Sequence, residues 1–246
     1  MEATNVTEKT DRGDRQIASW LHLGGYFGIM AYLVLAGMHS QRAGVGGNVA
    51  SGQLMNHGQA VRSYLLSILA NVGITYYCWA GVHWHGGTLS TLTGGRWRSW
   101  KAIALDVAIA LPFCLVWQAT AFGVDRLLGP NDARSVESML PQSAVEVVLW
   151  IVVSITAGFC EEIQSRGYLQ QQLRAVSGSV VVAVLGQALV FGMVHSYQGS
   201  KKVVVIAVLG VLYGTLAAWR RNLRANMIAH GALDVWNGWL QQVIGR

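Results

Sequence analysis

The sequence predicts an all-α protein, a polytopic transmembrane helical bundle, and three observations carry that reading. Of its 246 residues, 52% are hydrophobic and only 12% are charged, whereas soluble domains carry roughly 25% charged residues. The apolar residues gather into runs close to the ~20 residues a helix needs to cross ~30 Å of hydrocarbon. The basic residues sit mostly between those runs, where they meet anionic headgroups. A net charge of +6 and a pI of about 9.5 would suggest nucleic acid in a soluble protein. No nucleic-acid-binding motif occurs, so membrane lipids are the expected partners. The three cysteines, Cys78, Cys114 and Cys160, fall inside apolar runs and do not form a secreted-type disulfide framework.

Seven apolar runs follow one another, and an eighth or re-entrant segment would change the side on which the chain ends. The first, about 17–37, is too long for a signal-peptide core and no small-residue cleavage site follows it. It reads as a retained helix behind a disordered leader, residues 1–16. Runs near 63–83 and 101–123 complete an N-terminal set, 17–142. They are joined by a Gly/Asn/Ser-rich loop, Gly44 to Gly58, and by a second loop, Gly86 to Arg98. Trp97 and Trp100 bracket a basic stretch there, a mixture suited to the membrane interface. Runs near 144–162, 179–197, 202–219 and 225–244 make up the C-terminal part, 143–246. With the N-terminus in the cytoplasm, 11 of the 18 Lys and Arg residues fall on that side and 7 on the other. This favours a cytoplasmic N-terminus, and a bacterial plasma membrane is the expected location.

An ionisable side chain inside a spanning helix costs at least ~2.5 kcal/mol, which makes it a site hypothesis. The fourth run ends in Cys160-Glu161-Glu162-Ile163-Gln164-Ser165-Arg166. Adjacent carboxylates point about 100° apart on a helix, so they can take different roles. Glu162 and Arg166 form an i,i+4 pair in the favourable order, which would hold Glu162 as a structural anion. Glu161 is then free to act. A solvated helix end is the plainer reading of the same residues. The fifth run carries Phe191-x-x-x-His195 and the seventh His230-x-x-x-Asp234. His230 and Asp234 share a helical face, where a carboxylate would fix the imidazole tautomer. Taken singly, each residue is more simply a satisfied core histidine or a cap. Four such groups on three apolar helices are costly unless they pair. Asp106 and Glu146 read as structural, one at the interface and the other at a helix N-terminus.

Glu161-Glu162-x-x-x-Arg166, Phe191-x-x-x-His195 and His230-x-x-x-Asp234, in that order, resemble the three motifs of the CPBP family. These are CAAX prenyl endopeptidases of the Ras-converting type and their bacteriocin-processing relatives. Gly167-Tyr168-Leu169-Gln170 and Leu209-Gly210-Val211-Leu212-Tyr213-Gly214 fit the connecting text, and the resemblance spans about 143–245. It implies proteolysis inside the membrane, acting on a lipid-anchored or membrane-embedded protein without a cofactor. Glu161 and His195 would activate a water. His230 and Asp234 would form the oxyanion hole or an orienting pair, with Glu162 and Arg166 supporting them from behind. The Ras-converting enzymes have Asn where this chain has Asp234. An ionised Asp cannot donate, so Asp234 would orient His230, or donate only when protonated.

A fourth-to-fifth helix hairpin turning at Ser177-Gly178 puts Glu161 and His195 each 17 residues from Gly178, and therefore level. This requires the fourth helix to run on to about Ala175. Mirroring through the later turns puts His195 level with Gln241 rather than His230, an 11-residue offset, or roughly 16 Å of helix. A tilt or a broken fifth-to-sixth connection would have to close it, lining a cavity. That cavity is expected to open toward Arg166 and Arg220–Arg224. Other readings stay open. The two His and the carboxylates are reasonable zinc ligands, although HExxH is absent. A non-proteolytic scaffold or bacteriocin-immunity factor would use the same residues as a packed polar core. A proton-coupled transporter would need paired broken helices repeated in two halves, and no repeat is evident.

Overall fold

Apolar runs preceded by Asn or Ser fold as helices capped by those residues. The computed structural model describes residues 16–43, 55–97, 99–129 and 139–244. Its elements are α1 (Trp20–Ala43), α2 (His57–Trp84), the short α3 (Leu89–Thr93), α4 (Trp100–Leu128) and α5 (Ala144–Glu162). A π-helical stretch, Ile163–Gln170, continues α5 into α6 (Gln171–Ser177). Then come α7 (Val180–Val194), a 3₁₀ turn at Ser196–Gln198, α8 (Ser200–Arg220) and α9 (Arg224–Ile244). Asn56, Ser99, Ser143 and Ser179 each accept a first-turn N–H and so start α2, α4, α5 and α7. There is no strand among the described residues.

By length and composition, α1, α2, α4, the continuous α5–α6 and α8 can cross a membrane. Leu35, Leu65, Leu69, Leu111 and Leu115 are exposed on these helices, which suits a lipid solvent. The seven predicted runs each become a helix, and α3 is an additional short one. The chain is an all-α, multi-pass membrane bundle. The predicted leader up to residue 15, most of the Gly44–Gly58 loop and residues 130–138 lie outside the described residues.

Polar side chains lock α5–α6 to its neighbours. The Gln172 amide donates to the Ala18 carbonyl at 2.7 Å, and its oxygen accepts from the N–H groups of Ile17 and Ala18. His22 Nε2 donates to the Tyr77 carbonyl at 2.9 Å, because that carbonyl can only accept; Nδ1 therefore accepts from the Tyr168 hydroxyl at 2.7 Å. Arg166 and Gln170 donate to the carbonyls of Gly210 and Gly214 on α8.

α9 packs antiparallel on α5. A Cβ at Gly158 would lie 2.5 Å from the Gly231 nitrogen, so only glycine allows this approach. Trp150 Nε1 donates to the Asp234 carbonyl at 3.0 Å one turn further on. This contact removes the predicted 11-residue offset. α9 takes its level from direct contact with α5, not by reflection through α8. The fifth-to-sixth connection is broken as expected, by the 3₁₀ turn and by Gly199 at φ 102°.

The two ends of the bundle differ. At the end where α1 begins, Gly167 and Gly94 pack closely against Leu92 and Asn222, and the Leu223 N–H donates to the Thr93 carbonyl at 3.0 Å. Beside them Asp106, fully buried, accepts from Trp97 Nε1, Arg220 and Arg224 at 2.8–2.9 Å. At the opposite end the polar pairs among the described residues include Lys202–Asp125 and His57–Glu146.

Candidate active site

Glu161 and Glu162 close α5, where the helix widens into the π-helical stretch. Such widening is frequent at functional sites. The two carboxylates face different surroundings. Glu162 is fully buried. Its Oε1 accepts from Arg166 Nη1 at 2.9 Å and from His230 Nδ1 at 2.9 Å, and its Oε2 accepts from Asn226 Nδ2 at 3.1 Å. The Arg166 guanidinium lies over the rings of Phe191 and Tyr213, 4.3 and 5.0 Å from their centroids, a cation–π arrangement. Pairing and hydrogen bonding offset the cost of burying these charges.

Glu161 points into a cavity. Its Oε2 lies 4.0 Å from His195 Nε2 and 3.8 Å from His230 Nε2. Asp234 Oδ2 is 3.6 Å from the same His230 nitrogen. The four residues singled out in the sequence therefore meet, although no contact among them is a direct hydrogen bond. His195 caps α7 and its Nδ1 donates to the Phe191 carbonyl at 2.7 Å. That bond fixes the Nδ1–H tautomer of the neutral ring and leaves the Nε2 lone pair facing Glu161. His230 Nδ1 is held by Glu162. The orienting carboxylate expected in Asp234 is thus Glu162, because Asp234 stands on the other side of the ring, beyond hydrogen-bonding distance.

Sequence reasoning missed Asn226 and Tyr213. Asn226 ties Glu162 to the Tyr213 carbonyl at 2.8 Å. It precedes His230 by four residues, as His230 precedes Asp234, so the face-sharing rule already contained it. Tyr213 carried no such signal, since an aromatic residue in an apolar run reads as core.

The cavity has a volume of about 1380 Å³, with Glu161, Gln164, Tyr213 and His230 among its deep lining residues. Asp125, Arg126, Gly129, Met139 and Lys202 also line it, toward the end opposite the start of α1. The expected opening toward Arg166 and Arg220–Arg224 is corrected. Asp106 engages Arg220 and Arg224, and Arg166 is engaged by Glu162, so these cations close that end rather than line a vestibule. Among the described residues, no group of three or more His, Cys, Asp or Glu is placed to hold a metal ion.

Residues 143–236 match the family model described as Type II CAAX prenyl endopeptidase, Rce1-like. Neither the curated proteins nor the solved structures gave a match to the chain. The matched stretch contains Glu161, Glu162, Arg166, His195, His230 and Asp234, and nearly coincides with the span of the resemblance, about 143–245. Over residues 143–236 this multi-pass membrane protein is therefore similar to the Rce1-like family.

Proposed function

We propose that the protein is a glutamate-type intramembrane endopeptidase that cuts a lipid-anchored, CAAX-like or membrane-embedded protein. One observation carries this reading: Glu161 Oε2 stands 4.0 and 3.8 Å from two histidine Nε2 atoms inside the cavity. Those spacings are too long for direct hydrogen bonds and suit groups that share a water-sized atom. Glu161 and the His195 lone pair take the proton of a water as its oxygen attacks the peptide carbonyl. His230 lies among the carboxylates of Glu162, Glu161 and Asp234. In its cationic form it carries a proton on each nitrogen, and Nε2–H donates to the developing oxyanion. Asp234 then balances the imidazolium charge. Glu162, Arg166 and Asn226 hold the His230 ring in place.

In this reading the placement of Lys and Arg puts the N-terminus in the cytoplasm, and the host membrane is a bacterial plasma membrane. The test is proteolysis of a farnesylated CAAX reporter peptide in liposomes. Wild type should cleave it with and without chelator. Glu161→Gln and His195→Ala should each lose about 10³-fold in rate. Chelator-sensitive cleavage would point to zinc instead. Retained cleavage by Glu161→Gln would remove the glutamate mechanism, and absence of cleavage in wild type would favour another substrate or a scaffold or immunity role.

A further inference from the structure

We propose that Tyr213 is a further catalytic residue, whose hydroxyl donates a second hydrogen bond to the oxyanion. This rests on the protease reading above. Tyr213 is 2% exposed, and its hydroxyl is buried without a hydrogen-bond partner among the described residues. A buried hydroxyl left unmatched costs stability, and a substrate oxygen would supply the missing partner. Tyr213 is among the residues lining the same cavity as Glu161, His195 and His230.

Its placement is constrained from every side. The ring lies against His230 with centroids 5.2 Å apart at 31°, and against Phe113 at 5.0 Å. The Arg166 guanidinium sits over it, 5.0 Å from the centroid. Its carbonyl accepts from Asn226 Nδ2 at 2.8 Å, and that same amide donates to Glu162. The residues that orient His230 therefore also orient Tyr213. A hydroxyl on a ring already held in place loses little orientation when it donates to developing charge; because it is buried, a neighbour must give way as the substrate oxygen reaches it.

The chemistry of the neighbours leaves this role open. Glu161 is the base, and Asp234 in its ionised form can only accept. His230 Nε2–H offers one donor to the carbonyl oxygen. Tyr213 supplies another as water adds to the carbonyl carbon and the C=O pair moves onto oxygen. The phenolic proton stays on Tyr213 throughout, and the leaving amine takes its proton from the Glu161–His195 pair.

Tyr213→Phe removes only the oxygen and keeps the ring contacts. With the farnesylated reporter, kcat should fall by about 100-fold, the typical effect of losing one oxyanion donor. KM should stay within about twofold, since the bond forms in the transition state. The thermal midpoint in detergent should hold or rise, because an unmatched buried hydroxyl has gone; a structural role would lower it. A phosphinate analogue of the scissile bond, whose anion mimics the oxyanion, should bind Tyr213→Phe about 100-fold more weakly than wild type. Wild-type kcat in Tyr213→Phe beside an inactive Glu161→Gln would overturn this proposal and leave the protease reading intact. Cleavage by Glu161→Gln would instead remove the protease reading. If the reporter is not cut at all, the phosphinate decides: equal affinity of the two proteins, or none, overturns the proposal.

Discussion

The two ends of the bundle use the same chemistry to opposite effect. Where α1 begins, Asp106 is fully buried and holds Trp97, Arg220 and Arg224 together. At the other end, Asp125 and Lys202 also form an ion pair, at 2.9 Å, but their side chains are 39% and 33% exposed beside the cavity. A carboxylate withdrawn from water and shared by two guanidinium groups acts as a seal. A carboxylate that keeps part of its surface exposed does not close the cavity it lines. Charge count alone does not distinguish the two; burial does.

The sharpest way to break this contrast is to remove the carboxylate from the sealed end. Asp106→Asn leaves Arg220 and Arg224 without their counter-charge and should cost about 3 kcal/mol, read as a lowered thermal midpoint in detergent. An unchanged midpoint would mean that Asp106 is not the seal. Gly158→Ala should come next. Its new Cβ meets the Gly231 backbone at 2.5 Å, which no side-chain rotation relieves. A loss of about 1–3 kcal/mol is expected, together with reduced activity as His230 moves away from Glu161. At the open end, Asp125→Asn or Lys202→Met should change stability by less than about 1 kcal/mol, because an exposed pair contributes little. Labelling sharpens the comparison from another direction. In a background without native cysteines, Ala121→Cys, which lines the cavity, should react with an impermeant maleimide added on the side where α1 ends. Reaction only from the side where α1 begins would reverse the assignment of the opening.

Much of this was legible in the chain. The helices could be read because each apolar run is long, and the structure adds that Asn56, Ser99, Ser143 and Ser179 cap four of them. Glu161 and His195 could be placed level because one turn, at Gly178, separates their helices. His230 could not be placed in that way. Its height is set by Gly158 against Gly231, a contact between helices far apart in sequence, which reflection through successive turns does not capture. The mouth of the cavity was misread for a related reason. Arg220 and Arg224 look like free surface charge until Asp106, more than a hundred residues earlier, is seen to engage them. The distinction between Glu161 and Glu162 was readable from the 100° step, and the structure adds that the paired one also holds His230. Tyr213 had no signature, since what distinguishes it is a missing hydrogen bond.

The seal at Asp106 has a consequence for the energetics of the cell. Water that reaches Glu161 from the open end penetrates only part of the membrane's thickness. The rest, from the Arg166 layer to Asp106, is a packed layer among the described residues, with Ile163, Tyr168, Leu169 and Leu223 in its core. The membrane voltage would therefore fall mainly across that packed layer rather than along the cavity. In the proposed protease, such a layer would let water reach a peptide bond inside the bilayer without short-circuiting the ion gradients on which the membrane depends.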